Sequence, residues 1–312
     1  MPVGRSLFVW CLCLSALLLA FLGAKLNPLA YFLVGILAPL PVLVVGRQSG
    51  ARAALVLALA VMAFVFALQP GLSILWQNLG FLNLLLMGVL LSSLQYRGVP
   101  APQAIILTVG TLMVLALLVV GGQAVISGQT LQAVLAQKAA ELMGTVHQVL
   151  GEEGASGLLI PGVSQAEVEA LLRRLLPGLL LTNMGLVAWV NVILARQLSS
   201  RSGEQEPEKP LFYWAVPEWV IFAVLGAGFL LLIPVSGVRY FSLNLLMVLA
   251  VLYFCQGVAV VAAWFHRLGL PRLLRIIGYP LLFLNPFFFV IITLGILDLW
   301  LDFRRLHQPK GA

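Results

Sequence analysis

Eight stretches of this chain, 6–24, 26–46, 53–96, 98–137, 175–195, 219–238, 240–266 and 276–297, contain no Asp, Glu, Lys or Arg. A bilayer's hydrocarbon core is about 30 Å thick and takes ~20 apolar residues to cross as a helix, so the pattern predicts transmembrane helices. The stretch 53–96 is twice as long as one crossing needs, and Gln69-Pro70-Gly71 supplies its turn. Nine apolar segments result, near 7–24, 29–46, 53–68, 72–95, 103–125, 177–197, 218–235, 241–265 and 277–299. The first has Arg5 before an apolar run, as an export signal does. No small-residue cleavage site follows, and Phe21 to Pro28 leads into the next segment, so it is expected to be a membrane helix.

The predicted fold is all-α, a polytopic membrane protein with eight or nine transmembrane helices. Lys and Arg collect in short cytoplasmic loops. With the N-terminus inside, the inner loops hold Arg47, Arg52, Arg97, Arg196, Arg201, Lys209, Arg267, Arg272 and Arg275, and the outer ones mainly Lys25 and Arg239. Nine full crossings would put Arg304, Arg305 and Lys310 outside, against that bias. One segment is therefore expected not to span, either 29–46, which carries Pro39 and Pro41, or the last, broken at Asn285-Pro286.

Three blocks organise the chain: a transmembrane block over 1–125, an extramembrane amphipathic segment over 126–176 and a second transmembrane block over 177–312. In the middle block Leu131, Val134, Leu135, Ala139, Leu142, Met143, Val146 and Val149 repeat at three and four residues, with Gln132, Lys138, Glu141 and Gln148 opposite. Ser164 to Glu167 has the capping-box spacing that opens the next helix, which is expected to continue past Pro177. Such an amphipathic pair packs on its own bundle, lies on the membrane, or binds a protein. Ser199 to Pro210, rich in Glu, has the composition of a solvated loop.

Composition sharpens this picture. Hydrophobic residues make up 62% and charged residues 9% of the 312, which no soluble domain matches. The formal charge of +7 is accounted for by loop cations, and no basic run of the kind that grips nucleic acid occurs. Cys11 and Cys13 share one apolar segment and Cys255 lies in another, so a disulfide framework is not expected. His147, His266 and His307 lack metal-ligand spacing, and HExxH, GxSxG and GxxxxGK[ST] are absent. An enzyme, a metal and a cofactor are accordingly not expected.

Polar residues inside the apolar segments are where desolvation cost points to function. The amides Gln77, Asn78, Asn83, Asn183, Asn191 and Gln256 are the candidate ligand set for a neutral or zwitterionic solute. Amides also join helices, at about 0.6 to 2 kcal/mol per hydrogen bond, so either role remains open. At the C-terminus, Asp298, Asp302 and Arg305 fall on one face of a continued helix and are expected to form an ionic latch at the membrane edge, with Arg304 on a different face. The other reading is a lipid anchor in which Trp300 and Phe303 sit among headgroups.

Gly295 to Arg305, preceded by Leu252-Tyr253-Phe254-Cys255-Gln256-Gly257, resembles the C-terminal signature of the YybS-like bacterial membrane proteins. The resemblance covers about 240–306. It implies a bacterial inner-membrane location, a distant similarity to the substrate-binding subunits of energy-coupling-factor transporters and to the cell-shape protein MreD, and a vitamin-like ligand or a protein partner. Carried over by motif, Gln256, Gly257, Asp298, Asp302 and Arg304 are its marked positions. Two functions are therefore expected to compete: a substrate-binding or permease-type subunit, and a cell-envelope scaffold acting through protein partners. The lipid bilayer is a partner of either.

Overall fold

The computed structural model describes residues 3–26, 35–68, 79–138, 140, 141, 144, 165–200, 213–284 and 286–304. Every regular element among them is a helix: α1 (Val3–Leu26), α2 (Pro39–Ser49), α3 (Ala51–Leu68), α4 (Leu79–Tyr96), α5 (Ala101–Ser127), α6 (Gln165–Ser200), α7 (Val220–Leu230), α8 (Ser236–Arg267), α9 (Arg272–Leu281) and α10 (Phe287–Leu301). Five stretches, 51–68, 79–96, 101–127, 170–198 and 236–267, are long and apolar enough to cross a membrane, and Trp10–Leu19, Val220–Leu230 and Phe287–Leu301 are shorter apolar helices. Leu107, Leu118, Phe222 and Phe229 stand exposed. A helix that is apolar all round and uncovered by protein belongs in lipid.

Two compact units form. One takes 1–176 with 183–205, the other 177–182 with 206–312. The block drawn from sequence as 177–312 thus divides differently, because most of α6 beyond Pro177 belongs with the first unit. In that unit Leu17 and Phe21 of α1, Val42 and Val45 of α2, Leu57 and Val61 of α3 and Phe81 and Leu85 of α4 make one buried core. The helical residues 35–37 end at Ala38, just before Pro39, and Pro39 and Pro41 open α2, where a missing N–H removes no hydrogen bond. Gly50, at φ 91°, then turns the chain from α2 into α3. The described stretch 35–49 is about 22 Å long at ~1.5 Å per residue, short of a crossing by itself.

The second unit is built on α8, whose Tyr253, Phe254, Cys255, Val258 and Ala259 are buried. α7 runs antiparallel beside it, so that Val216 and Val220 meet Tyr253 and the Ala227 carbonyl accepts the Ser242 hydroxyl. Pro177 interrupts the hydrogen-bond ladder of α6, and the next N–H, that of Gly178, goes instead to Asn244 Oδ1 at 2.5 Å. The segment expected as a single span over 277–299 is two helices, α9 and α10. Proline is their divider: Pro280 lies in the last turn of α9, and Pro286 caps α10.

Close helix contact depends on missing side chains. A Cβ on Gly257 would overlap the Ile291 carbonyl oxygen, and one on Gly295 would overlap the Tyr253 carbonyl oxygen, so α8 and α10 touch backbone to backbone. Gly88 does the same for α4 against Val42 and Pro39 of α2. In lipid, where burial of apolar side chains gives little net drive, such small-residue seams are the main source of helix association. Gly257→Ala and Gly295→Ala are each expected to destabilise the folded protein by about 2 kcal/mol or more, because backbone cannot retreat as a side chain can. Gly110→Ala, where an added methyl meets open space, is expected to be neutral or slightly stabilising. Thermal unfolding in detergent with in-membrane abundance checks the contrast, and equal effects at all three positions would refute it.

Candidate functional site

Gln256 sits eleven residues before the end of α8 at Arg267, about 16 Å along the axis at ~1.5 Å per residue. It is 2% exposed, and both ends of its amide are used. Oε1 accepts the Val216 N–H at 2.9 Å, while Nε2 donates to Asp298 Oδ2 at 3.1 Å. Val216 lies in the extended stretch before α7, where its N–H has no helical partner. The amide therefore satisfies irregular backbone inside an apolar bundle, where an unmet donor is costly.

Asp298 is on the last turns of α10, 5% exposed, and Arg304 is 6% exposed. Arg304 Nη2 and Nε reach Asp298 Oδ2 at 2.7 and 2.8 Å, and Nη1 donates to the Trp214 carbonyl. One oxygen of Asp298 thus takes three donors. The other, Oδ1, is buried with no hydrogen-bond partner among the described residues. Arg267 closes the arrangement from α8, giving its guanidinium to the carbonyls of Phe303 and Arg304 at 3.0 and 2.7 Å.

Asp298 thus pairs with Arg304, which the spacing argument places on a different face of the helix. That argument continued the helix through 305, but α10 stops at Leu301. Asp302 takes a left-handed conformation, φ 39°, as Asp tolerates better than most residues, and the chain folds back to bring Arg304 over Asp298. The Asp302 N–H bonds the Asp298 carbonyl at 3.1 Å. Arg305 lies outside the described residues. Asp298 stands beside Gln256, which lies about 16 Å along α8 from Arg267 at ~1.5 Å per residue. Trp214, Val216 and Arg267 were not singled out from sequence: the first two contribute backbone atoms, which carry no residue signature, and Arg267 looked like one more loop cation.

The remaining candidate amides divide. Gln77 and Asn78 lie outside the described residues. Asn83, Asn183 and Asn191 belong to the first unit, apart from the Gln256 cluster by fold assignment. Asn183 is exposed. Asn83 is half-buried, and its Oδ1 has no hydrogen-bond partner among the described residues. Asn191 is fully buried and donates to the carbonyls of Ile36 at 2.6 Å and Val187 at 2.7 Å. Ile36 precedes the turn at Ala38, so its carbonyl has lost the helical donor it would otherwise meet. Broken backbone in hydrocarbon finds no water to bond, so its polar groups must be met from within the protein, and Asn191 supplies that donor from a neighbouring helix.

Removing one member of a buried ion pair costs about 3–5 kcal/mol, because it strands the other charge. Asp298→Asn is expected to destabilise on that scale. Arg304→Lys is expected to do nearly as much, since one ammonium cannot serve both the Asp298 carboxylate and the Trp214 carbonyl. The double substitution Asp298→Leu with Arg304→Met is expected to cost less than the two single losses added together. Detergent-stable folded protein measured for all the variants tests the pairing; a silent Asp298→Asn would end it.

Neither a curated protein nor a solved structure matches the chain. A family comparison does match, and it takes in α8 with Gln256 and α10 with Asp298, stopping just short of the turn that carries Arg304. Over residues 13–299 the chain fits the family described as "Predicted membrane protein (DUF2232)", and it belongs to that family.

Proposed function

We propose that this membrane protein is a non-enzymatic, multi-pass component of a bacterial inner membrane, with a cytoplasmic N-terminus, that binds or admits a small neutral or zwitterionic solute. The observation that carries the reading is Asp298 Oδ1, an uncommitted carboxylate oxygen buried beside Gln256. Ionisable groups at membrane depth are costly and are kept where they do something. Asp298 and Arg304 cancel each other's charge, so a net-charged solute gains nothing from the cluster, whereas a neutral or zwitterionic one with an N–H or O–H can complete the free oxygen. The distant similarity to energy-coupling-factor substrate-binding subunits that the YybS-like resemblance implies agrees with such a ligand.

A second reading, an envelope scaffold working through protein partners, draws on a different observation. Asn244 and Gln256 spend both ends of their amides on bonds inside the protein, and Asn191 spends its NH2 group there, which is how structural glue behaves. Leu131, on the apolar side of the 131–138 helical stretch, is exposed and would serve as a docking contact.

Purified protein is expected to gain thermal stability from at least one member of a library of vitamins, nucleobases and amino acids. Gln256→Leu should abolish the shift, and Asn183→Ala, on the other unit, should leave it intact. A flat response across the library with folded protein would sink the solute reading. Photo-crosslinking from position 131 in native membranes decides the second reading, which fails if no envelope protein is recovered.

A further inference from the structure

We propose that residues 268–304 form a re-entrant helical hairpin, which enters one leaflet of the bilayer from the Arg267 side, turns among acyl chains near mid-depth, and leaves on the side it entered. Its two ends are at one place. The chain leaves α8 at Arg267, and the Arg267 guanidinium holds the carbonyls of Phe303 and Arg304 at the far end of the segment. Trp264, three residues from the end of α8, has its ring 5.9 Å from that of Phe303.

Between those ends the segment goes inward and returns. Tyr279 of α9 lies against Phe265, ring centroids 5.5 Å apart, still close to the Arg267 end. Phe283 and Phe288 then both pack on Phe254, at 5.0 and 4.7 Å, near the middle of the 32-residue α8. From there α10 runs in the same sense as α8, past Gly257 and Gln256, back to Trp264 and Arg267. Length agrees with direction: α9 is about 15 Å and α10 about 22 Å at ~1.5 Å per residue, each short of a 30 Å core.

Two further features suit the turn to lipid. Its backbone is largely self-satisfied, with the N–H groups of Leu282, Phe283 and Leu284 each bonded three residues back at 3.1 Å and that of Phe288 bonded to the Leu284 carbonyl at 3.1 Å. Among its described residues the exposed side chains, Phe283, Leu284, Phe287, Phe289 and Val290, are apolar, which fits acyl chains better than a headgroup layer. The Asp298–Arg304 pair is then a clasp on the returning arm. This topology also puts Arg304 on the side of Arg267, where the positive-inside bias places it.

Sidedness of single cysteines tests this in native membrane vesicles, with Cys11→Ser, Cys13→Ala and Cys255→Ala as background. A membrane-impermeant maleimide is expected to label Leu268→Cys and Gln308→Cys from one side and Val235→Cys, at the other end of α8, from the opposite side. Phe283→Cys is expected to stay unlabelled from either side until detergent exposes its thiol to water, because maleimide adds to the thiolate, which acyl chains do not support. Labelling of Gln308→Cys from the Val235 side would overturn the hairpin, as would labelling of Phe283→Cys by the impermeant reagent from that side. A C-terminal topology reporter on the otherwise unsubstituted chain reads the same sidedness without any cysteine variant, and its appearance on the Val235 side is equally fatal to the proposal.

Discussion

The second unit depends on one ion pair held where water cannot reach it. Asp298 and Arg304 join the end of α10 to the turn beyond it, and through Gln256 and the Trp214 carbonyl the pair also fixes α8 and the extended stretch before α7. Desolvating two charges is expensive, and only a full set of partners makes the arrangement tolerable. The carboxylate oxygen Oδ2 and the guanidinium have that set; Oδ1 does not. The cluster is thus stable enough to persist and incomplete enough to interact.

Around it, the same constraint is met repeatedly by different means. At five places where the helical ladder is interrupted or ends, a side chain bonds the backbone: Asn191 at Ile36, Asn244 at Gly178, Gln256 at Val216, Arg267 at Phe303 and Arg304. Wherever two helices must touch, a glycine removes the obstacle, as Gly257 and Gly295 do between α8 and α10. Polar groups and glycines divide the labour of assembly between them, since neither the hydrophobic effect nor water is available inside a bilayer to help.

The sequence made the helices and their medium legible because both follow from long apolar runs, a signal that needs no tertiary knowledge. It also pointed to Asp298, and to trouble in the last segment at Asn285-Pro286. What it could not yield was the partner of Asp298, because helical spacing holds only while the helix lasts, and α10 ends at Leu301 through the left-handed turn at Asp302. The amides were found as a class and not by role: Asn191 and Gln256 read alike along the chain, yet one mends a carbonyl and the other braces a carboxylate. Roles of that kind are set by neighbours 40 to 155 positions away.

Those separations govern how the chain can be made. Trp214 is made ninety residues before the guanidinium that its carbonyl accepts, and Val216 forty residues before the Gln256 amide to which it donates. The stretch before α7 thus stays without its polar partners until α8 and the turn after α10 have been made, and the second unit can consolidate only then.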